Sequence, residues 1–144
     1  MGGKVLDSWA VMAWLNDEEP AASHFEALLD DATLGRTALA MSMVNVGEVY
    51  YLVAKRYGQK QATSFWEEFQ TTPIRILPAP NALILEAARW KSQYPISYAD
   101  AFALASVLVE QAVLVTGDPD FRALSEAGVV QLEWIGSASC RERV

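Results

Sequence analysis

Short apolar runs alternate along the chain with longer segments in which apolar residues recur every three to four positions. The short runs predict buried strands at residues 5–6, 38–41, 74–77, 113–115 and 129–134. The longer segments predict helices at residues 8–15, 20–29, 44–57, 59–70, 81–92, 98–111 and 119–127. Because strands that alternate with helices need crossover connections, we expect an α/β fold with a mostly parallel central β-sheet flanked by helices on both faces.

The composition is that of one globular domain. The chain has 144 residues, of which 52% are hydrophobic and 20% charged, enough to bury a core. No internal repeat or linker divides the chain, so we expect a single domain over residues 4–135. Residues 136–144 carry little apolar pattern and are interpreted as a C-terminal tail, either disordered or left by cloning. Gly2 and Gly3, before the first strand, are interpreted in the same way.

Cysteine usage and hydropathy predict where the protein works. Cys140 is the single cysteine and cannot form an intramolecular disulfide, which favours a reducing compartment. No apolar run reaches membrane-spanning length, and the first residues do not resemble a signal peptide. These features predict a cytoplasmic protein without a membrane partner.

The formal net charge of -7 argues against a broad basic surface for nucleic acid. Carboxylates that hold divalent cations also count as negative, however, although the loaded site presents positive charge to a phosphate. The positions of the acids therefore decide more than their total.

Two aspartates follow predicted strands. Asp7 comes directly after the first strand, and Asp118 follows the strand at residues 113–115 by way of Thr116 and Gly117. Because parallel strands end at the same edge of a sheet, both acids are expected at the edge where such sheets bind ligands. Each could instead be a helix N-cap, a position that Asp favours, and the local sequence leaves both interpretations open.

Two further acids stand within apolar helices. Asp100 begins a segment that is apolar nearly all round, so its carboxylate gains from the helix dipole but needs a cationic partner to offset desolvation. Glu48 has mostly apolar neighbours, and Asn45 lies one helical turn earlier on the same face. A solvent-facing cap at Asp100 and a solvated stripe at Glu48 are the alternatives.

Together these acids predict a divalent-cation site. Mg²⁺ and Mn²⁺ prefer oxygen ligands, and Mg²⁺ is usually held by a few carboxylates together with waters and substrate phosphate oxygens. Asp120 is an optional further ligand, although Asp-Pro-Asp is also an ordinary turn sequence. Mg²⁺ or Mn²⁺ is therefore the expected cofactor.

Four segments resemble the acidic motifs of PIN-domain nucleases, and more narrowly those of the VapC-type toxins of bacterial toxin–antitoxin pairs. They are residues 5–8, 42–49, 97–101 and 116–121. The resemblance covers about residues 4–134, in the order and at the spacing of the family.

The resemblance implies a Mg²⁺- or Mn²⁺-dependent endoribonuclease that cleaves RNA, forms a homodimer and is blocked by a cognate antitoxin. By position, the acidic quartet would be Asp7, Glu48, Asp100 and Asp118. Asp120 would be an optional metal ligand, Ser8 and Thr116 would be hydroxyls near the metal, and Asn45 matches a polar position one turn before the glutamate.

The mechanism that follows is metal-assisted hydrolysis of a phosphodiester, which leaves a 5′-phosphate and a 3′-hydroxyl. His24, the only histidine, is not needed as a base and is expected at the surface. One alternative is a PIN-domain nuclease of RNA processing outside a toxin–antitoxin pair. Another is a non-catalytic module that binds metal or a partner. Phosphoryl transfer from Asp7 fits poorly, because Trp9 stands where that chemistry usually has a second acid.

Two sets of side chains are candidates for interaction surfaces. Scattered bases could hold RNA, although most exposed Lys and Arg are simply solvated; they are Lys4, Arg36, Lys55, Arg56, Lys60, Arg75, Arg89, Lys91 and Arg122. Aromatic residues at helical spacing could line a groove for an antitoxin helix or belong to the core; they are Trp9, Trp14, Phe25, Trp66 and Phe69.

Overall fold

A computed structural model describes residues 3–137, in which five strands form one fully parallel sheet. The strands are β1 (Lys4–Leu6), β2 (Leu39–Ser42), β3 (Ile74–Leu77), β4 (Val113–Thr116) and β5 (Leu132–Trp134), in the order β3-β2-β1-β4-β5. The helices are α1 (Ser8–Leu15), α2 (Ala21–Thr33), α3 (Met43–Tyr57), α4 (Gln59–Phe69), α5 (Asn81–Gln93), α6 (Tyr98–Glu110) and α7 (Arg122–Glu126), with a 3₁₀ turn at Pro119–Phe121. The strand order reverses between β1 and β4.

Successive strand residues point to opposite faces of the sheet, and helices cover both faces. Leu6 and Met41 pack into a core built with α1, α2, α3 and α4. Val5 and Ala40 pack into a second core built with α5, α6 and α7. This alternation is the period-2 geometry of strands buried on both sides, and it confirms the predicted α/β class.

Helix α6 is the most deeply buried helix of the described residues. Every residue from Ala101 to Val107 is buried, and the helix contacts α3, α5 and three strands. Its small alanine side chains let it lie close to the sheet, which fixes the position of its first turn. No helix within residues 3–137 combines the length and the apolar character needed to cross a membrane.

Three predicted elements have boundaries that differ from the structure by more than one residue. Helix α2 continues four residues beyond its predicted end, to Thr33. Ala32 still packs on the core, and residues 30–34 contain no glycine or proline that would end the helix before Gly35. The last strand begins at Leu132 rather than at residue 129, since Gly128 takes a φ of 77° and turns the chain after α7.

The predicted helix at residues 119–127 is divided into a 3₁₀ turn and a five-residue α-helix. The backbone N–H of Phe121 bonds to the carbonyl of Asp118 at 3.2 Å, the spacing of a 3₁₀ turn. The chain therefore coils tightly directly after Asp118.

Gly3 and Ser137, at the two limits of the described residues, both take part in hydrogen bonds. The carbonyl of Gly3 accepts a hydrogen bond from the backbone N–H of Val113 at 3.1 Å, so this glycine extends the contact between β1 and β4. The indole N–H of Trp134 donates to the carbonyl of Ser137 at 3.3 Å. Residues 138–144, which hold most of the predicted tail and Cys140, lie outside the described residues.

Because Ala101, Ala103 and Ala105 of α6 are fully buried, enlarging one of them is expected to destabilise the fold. Ala105→Leu adds three carbons at a fully buried position and should lower the free energy of unfolding by about 1–3 kcal/mol. Urea denaturation followed by circular dichroism measures the change.

The matched control is Val109→Ala, on the same helix at a side chain that is 64% exposed. It should change the unfolding free energy by no more than about 0.5 kcal/mol. Equal effects of the two substitutions would contradict the described burial of α6.

Candidate metal centre

Asp7 caps α1 at the carboxyl end of β1. One carboxylate oxygen accepts a hydrogen bond from the backbone N–H of Ala10 at 2.9 Å. The other accepts from the hydroxyl of Thr116 at 2.5 Å. The residue is only 1% exposed, so a carboxylate is fixed in the interior at this edge of the sheet.

Asp118 lies beside Asp7 because β1 and β4 are neighbouring strands. Its backbone N–H donates to the Thr116 hydroxyl oxygen at 3.0 Å, and the same hydroxyl donates onward to Asp7. Its side chain accepts from the backbone N–H of Asp120 at 3.0 Å and so caps the 3₁₀ turn. The site therefore lies at the point where the strand order reverses, the usual ligand position in parallel sheets.

Asp100 enters the same region from the first turn of α6. Ser97 is the N-cap and accepts from the Asp100 backbone N–H at 3.0 Å, so the Asp100 carboxylate is not used for capping. Oxygen atoms of Asp100, Asp118 and Asp120 all lie within 4.8 Å of one another. One ion could contact all three carboxylates at once.

Asp100 and Asp118 face a cleft of about 290 Å³, called here the acidic cleft. Its lining combines acidic and apolar side chains: Ser8, Trp9, Met12, Ala13, Glu18, Glu48, Leu52, Asp100 and Asp118. Glu48 reaches it from α3. No lysine or arginine among residues 3–137 lines this cleft.

Glu18 is a lining residue that the sequence did not predict. It follows α1 within the run Asp17-Glu18-Glu19, which has the character of an ordinary solvated turn. Only the return of the chain from α1 into α2 brings it to the cleft, and no local signal marks it.

Asn45 ties together three of the four segments that carry the acids. Its side-chain amide donates to the carbonyl of Ala99, next to Asp100, at 2.9 Å. Its backbone carbonyl accepts from the hydroxyl of Ser8 at 3.3 Å. The Asn45 side-chain oxygen is buried and has no hydrogen-bond partner within the described residues.

Burial and mutual repulsion raise the pKa values of the acids. Burial raises the pKa of Asp7 to about 8, the charges of Asp100 and Asp118 add to the rise, and the hydrogen bonds from Thr116 and Ala10 only partly oppose it. Burial, then the charges of Asp118 and Glu48, raise the pKa of Asp100 to about 7. Burial also raises the pKa of Asp118.

This arrangement fits a hard divalent cation. The donors are all oxygens, three carboxylates converge, and the raised pKa values of Asp100 and Asp118 indicate that the protein alone does not neutralise the charge of these two acids. The unpartnered Asn45 oxygen adds a buried acceptor near the same acids. Asp7 differs from the other predicted ligands, because it is buried and both of its oxygens already accept hydrogen bonds.

Most of the predicted RNA-contacting bases are engaged with acids elsewhere. Arg75 pairs with Glu110 at 2.6 Å. Lys4 and His24 each lie 2.6 Å from Glu133. Burial raises the pKa of Glu133, but these two partners outweigh it and leave the pKa below its usual value. His24 is thus half-buried and paired rather than a free surface residue.

The aromatic residues divide between core and cleft. Phe25 and Phe69 are 0% and 1% exposed, so of the two alternatives left open by the sequence both residues belong to the core. Trp14 stacks on Phe25 with ring centroids 4.7 Å apart, which places it against the same core. Trp9 instead lines the acidic cleft.

A separate groove of about 460 Å³ opens between α1, α3 and α4, called here the α1–α4 groove. It combines apolar and uncharged polar side chains with one acid: Met12, Leu15, Asn16, Val53, Tyr57, Gln61, Ser64, Phe65 and Glu68. Met12 is shared with the acidic cleft.

Comparison with known proteins places the fold. The family model described as PIN domain matches residues 4–127. The fold is similar to that of VapC20 from Mycobacterium tuberculosis, a sarcin-ricin loop cleaving toxin (TM-score 0.69, 19% identity, covering 90% of this chain and 98% of that one). It is also similar to DNA-bound VapBC from Salmonella typhimurium (TM-score 0.67, 14% identity, 92% and 98% covered).

A third similar structure is FitAcB from Neisseria gonorrhoeae (TM-score 0.63, 19% identity, 90% and 95% covered). No curated protein sequence matches the chain. At these identities the structural similarity establishes the fold, while the family model establishes the domain.

The raised pKa of Asp7 predicts that the metal-free protein loses stability as the pH rises. The folded-state pKa of about 8 lies above the ordinary value of 3.8, so the protonated carboxyl favours the folded state. That contribution is complete below about pH 4 and is lost as the pH rises through 8. Asp100, with its pKa raised to about 7, acts in the same direction.

The measurement is urea denaturation in EDTA at pH 5 and pH 8. Asp7→Asn removes the buried charge, so its unfolding free energy at pH 8 should exceed that of the wild type by about 1–3 kcal/mol. The exposed acid Glu67 on α4 provides the control, and Glu67→Gln should keep the wild-type pH dependence. An unchanged pH dependence in Asp7→Asn would contradict the prediction.

Proposed function

The chain belongs to the PIN domain family, and we propose on that premise that it is a metal-dependent endoribonuclease acting in the acidic cleft. The observation that carries the proposal is the convergence of three carboxylates within 4.8 Å, two of which, Asp100 and Asp118, line a cleft without basic side chains. Such a cluster is unfavourable for the protein alone, and a Mg²⁺ or Mn²⁺ ion would make it favourable.

Each acid has a part in this proposal. Asp100, Asp118 and Asp120 would hold the cation, which would lower the pKa of an attacking water and polarise the scissile phosphate. Glu48, on the opposite helix α3, would orient that water and accept its proton on a carboxylate oxygen. Asp7 would act indirectly, because its hydrogen bond with Thr116 holds the turn that presents Asp118.

The walls of the cleft suit a nucleotide substrate. One part is acidic, and the remainder is apolar, formed by Trp9, Met12, Ala13 and Leu52. A phosphate would lie toward the acids and a base toward the apolar wall. Because no basic residue among those described lines the cleft, a polyanion would enter only when a cation offsets the carboxylates. Cleavage should therefore depend strictly on the metal.

We further propose that the protein is the toxin of a toxin–antitoxin pair. The similar structures include VapBC assemblies and, from Klebsiella pneumoniae, a toxin–antitoxin complex. The α1–α4 groove offers an apolar floor of the kind that an amphipathic helix of a partner occupies. The homodimer implied by the resemblance stays a prediction, and a PIN-domain nuclease without an antitoxin is the alternative.

Removing one carboxylate of the centre should abolish most of the activity. Asp7→Asn and Asp100→Asn should each reduce Mn²⁺-dependent cleavage of RNA by about 100-fold. Asp100→Asn removes a carboxylate that would hold the cation, and Asp7→Asn perturbs the contact that holds the turn of Asp118. Cleavage of end-labelled RNA by the purified protein measures the loss, and end mapping checks for 5′-phosphates.

Glu67→Gln again serves as the control and should cleave like the wild type. Undiminished cleavage by either aspartate variant would contradict the proposal. So would wild-type cleavage in excess EDTA.

The antitoxin proposal is tested at Tyr57, which lines the α1–α4 groove and is 51% exposed. Tyr57→Ala should weaken binding of a small protein encoded beside this gene by about 10-fold, the effect of removing an aromatic anchor. Tyr51→Ala is the control, because Tyr51 is 55% exposed on the same helix and does not line the groove. Equal affinities of the two variants, measured by calorimetry, would argue against this groove.

A further inference from the structure

We propose that Trp9 is a positioning residue of the candidate metal centre, which fixes the turn that presents Asp118 by lying against Gly117. The inference rests on the proposed function, because it assigns Trp9 a part in organising that same site. Its basis is a steric contact that the sequence does not reveal.

The contact between Trp9 and Gly117 leaves no room for a side chain. A Cβ atom added to Gly117 would lie 2.3, 2.4 and 2.8 Å from Cη2, Cζ3 and Cζ2 of the Trp9 indole. Nonbonded carbons pack at about 3.5–4.0 Å, so the indole occupies the space that any other residue at this position would need. A glycine at position 117 therefore allows the Trp9 indole to pack closely against the backbone.

The other side of this turn is also confined. A Cβ atom added to Gly136 would lie 3.2 Å from the Cα of Gly117. The backbone N–H of Ile135 donates to the carbonyl of Thr116 at 3.0 Å, which holds the segment after β5 in place. Gly117 therefore lies between the indole of α1 and the backbone that follows β5, so its turn has little freedom to move.

The turn is the link between two acids of the centre. Gly117 lies between Thr116, whose hydroxyl donates to Asp7, and Asp118. Trp9 lies two residues after Asp7 at the start of α1. Asp7 and Asp118 are thus connected twice, once through the Thr116 hydroxyl and once through the indole. The Thr116 hydroxyl can rotate to another hydrogen-bond partner. The Trp9 indole is held by α1 and therefore sets the distance between α1 and the turn at Gly117.

The location of Trp9 separates this role from simple burial. Phe25, an aromatic residue of the adjoining core, is fully buried. Trp9 is half-buried and lines the acidic cleft together with Glu48 and Asp100. One part of the Trp9 ring therefore contacts the turn of Asp118, and another part borders the carboxylates.

The test measures binding of Mn²⁺ alone to the full chain by titration calorimetry. Trp9→Leu should weaken Mn²⁺ binding by about 10-fold, the lower end of the effect of removing a group that orients metal ligands. Trp66→Leu is the matched control, because Trp66 is also half-buried against the same core but lies on α4, away from the cleft. It should bind Mn²⁺ like the wild type.

A second pair of variants separates positioning from folding. Gly117→Ala should lower both the Tm and the Mn²⁺ affinity, because its methyl group displaces the indole. Adding Trp9→Leu to Gly117→Ala should recover part of the Tm but not the Mn²⁺ affinity. Recovery of both would overturn the proposal, since Trp9 would then be dispensable for the site.

Asp7→Asn distinguishes failure of this inference from failure of the proposed function. Loss of Mn²⁺ binding in Asp7→Asn with wild-type binding in Trp9→Leu would overturn the role of Trp9 and leave the metal centre standing. Absence of Mn²⁺ binding in the wild type would overturn both. A raised KM for RNA in Trp9→Leu with unchanged Mn²⁺ affinity would make Trp9 a substrate contact and overturn the positioning role.

Discussion

The central physical constraint in this structure is the repulsion among carboxylates at one edge of the parallel sheet. Parallel pairing of β1 and β4 brings the ends of both strands to the same edge, and each is followed by an aspartate. Helix α6 adds Asp100 there because its apolar sides are buried against the sheet and its neighbours. The fold therefore brings together groups that repel one another, and the two apolar cores on either side of the sheet compensate for the unfavourable interaction. A bound cation would offset the remaining repulsion among these acids.

Helix capping does not exclude the metal binding proposed for Asp118. Asp7 and Asp118 both cap the turn that follows their strand, which is the alternative that the sequence left open for each. At Asp118, capping occupies one carboxylate oxygen and fixes the rotamer, so the carboxylate is oriented before any ion arrives. Asp100 leaves capping to Ser97 and keeps its carboxylate available. Local backbone requirements thus prepare the geometry that a metal needs.

The class of the fold and the edge that carries the acids could be predicted from the sequence, because strand–helix alternation dictates parallel pairing and parallel pairing dictates a shared edge. The places of Glu18 and of Trp9 could not be predicted. Each depends on how α1 packs on the sheet, which is a property of the whole core and not of its own segment. The same reason explains why the sequence left Phe25 and Phe69 open between groove and core, since helical spacing of aromatic residues does not state which helix face meets the core.

Met12 forms part of the wall of the acidic cleft and part of the floor of the α1–α4 groove. Its unbranched side chain has several rotamers of similar energy, so a ligand that presses on it from one cavity changes the shape of the other. If ligands in the two cavities favour different rotamers of Met12, their affinities are linked, and the linkage is reciprocal: whatever factor a groove ligand applied to affinity in the cleft, a cleft ligand would apply to affinity in the groove. One side chain of the two-turn helix α1 would then couple occupancy of the two cavities.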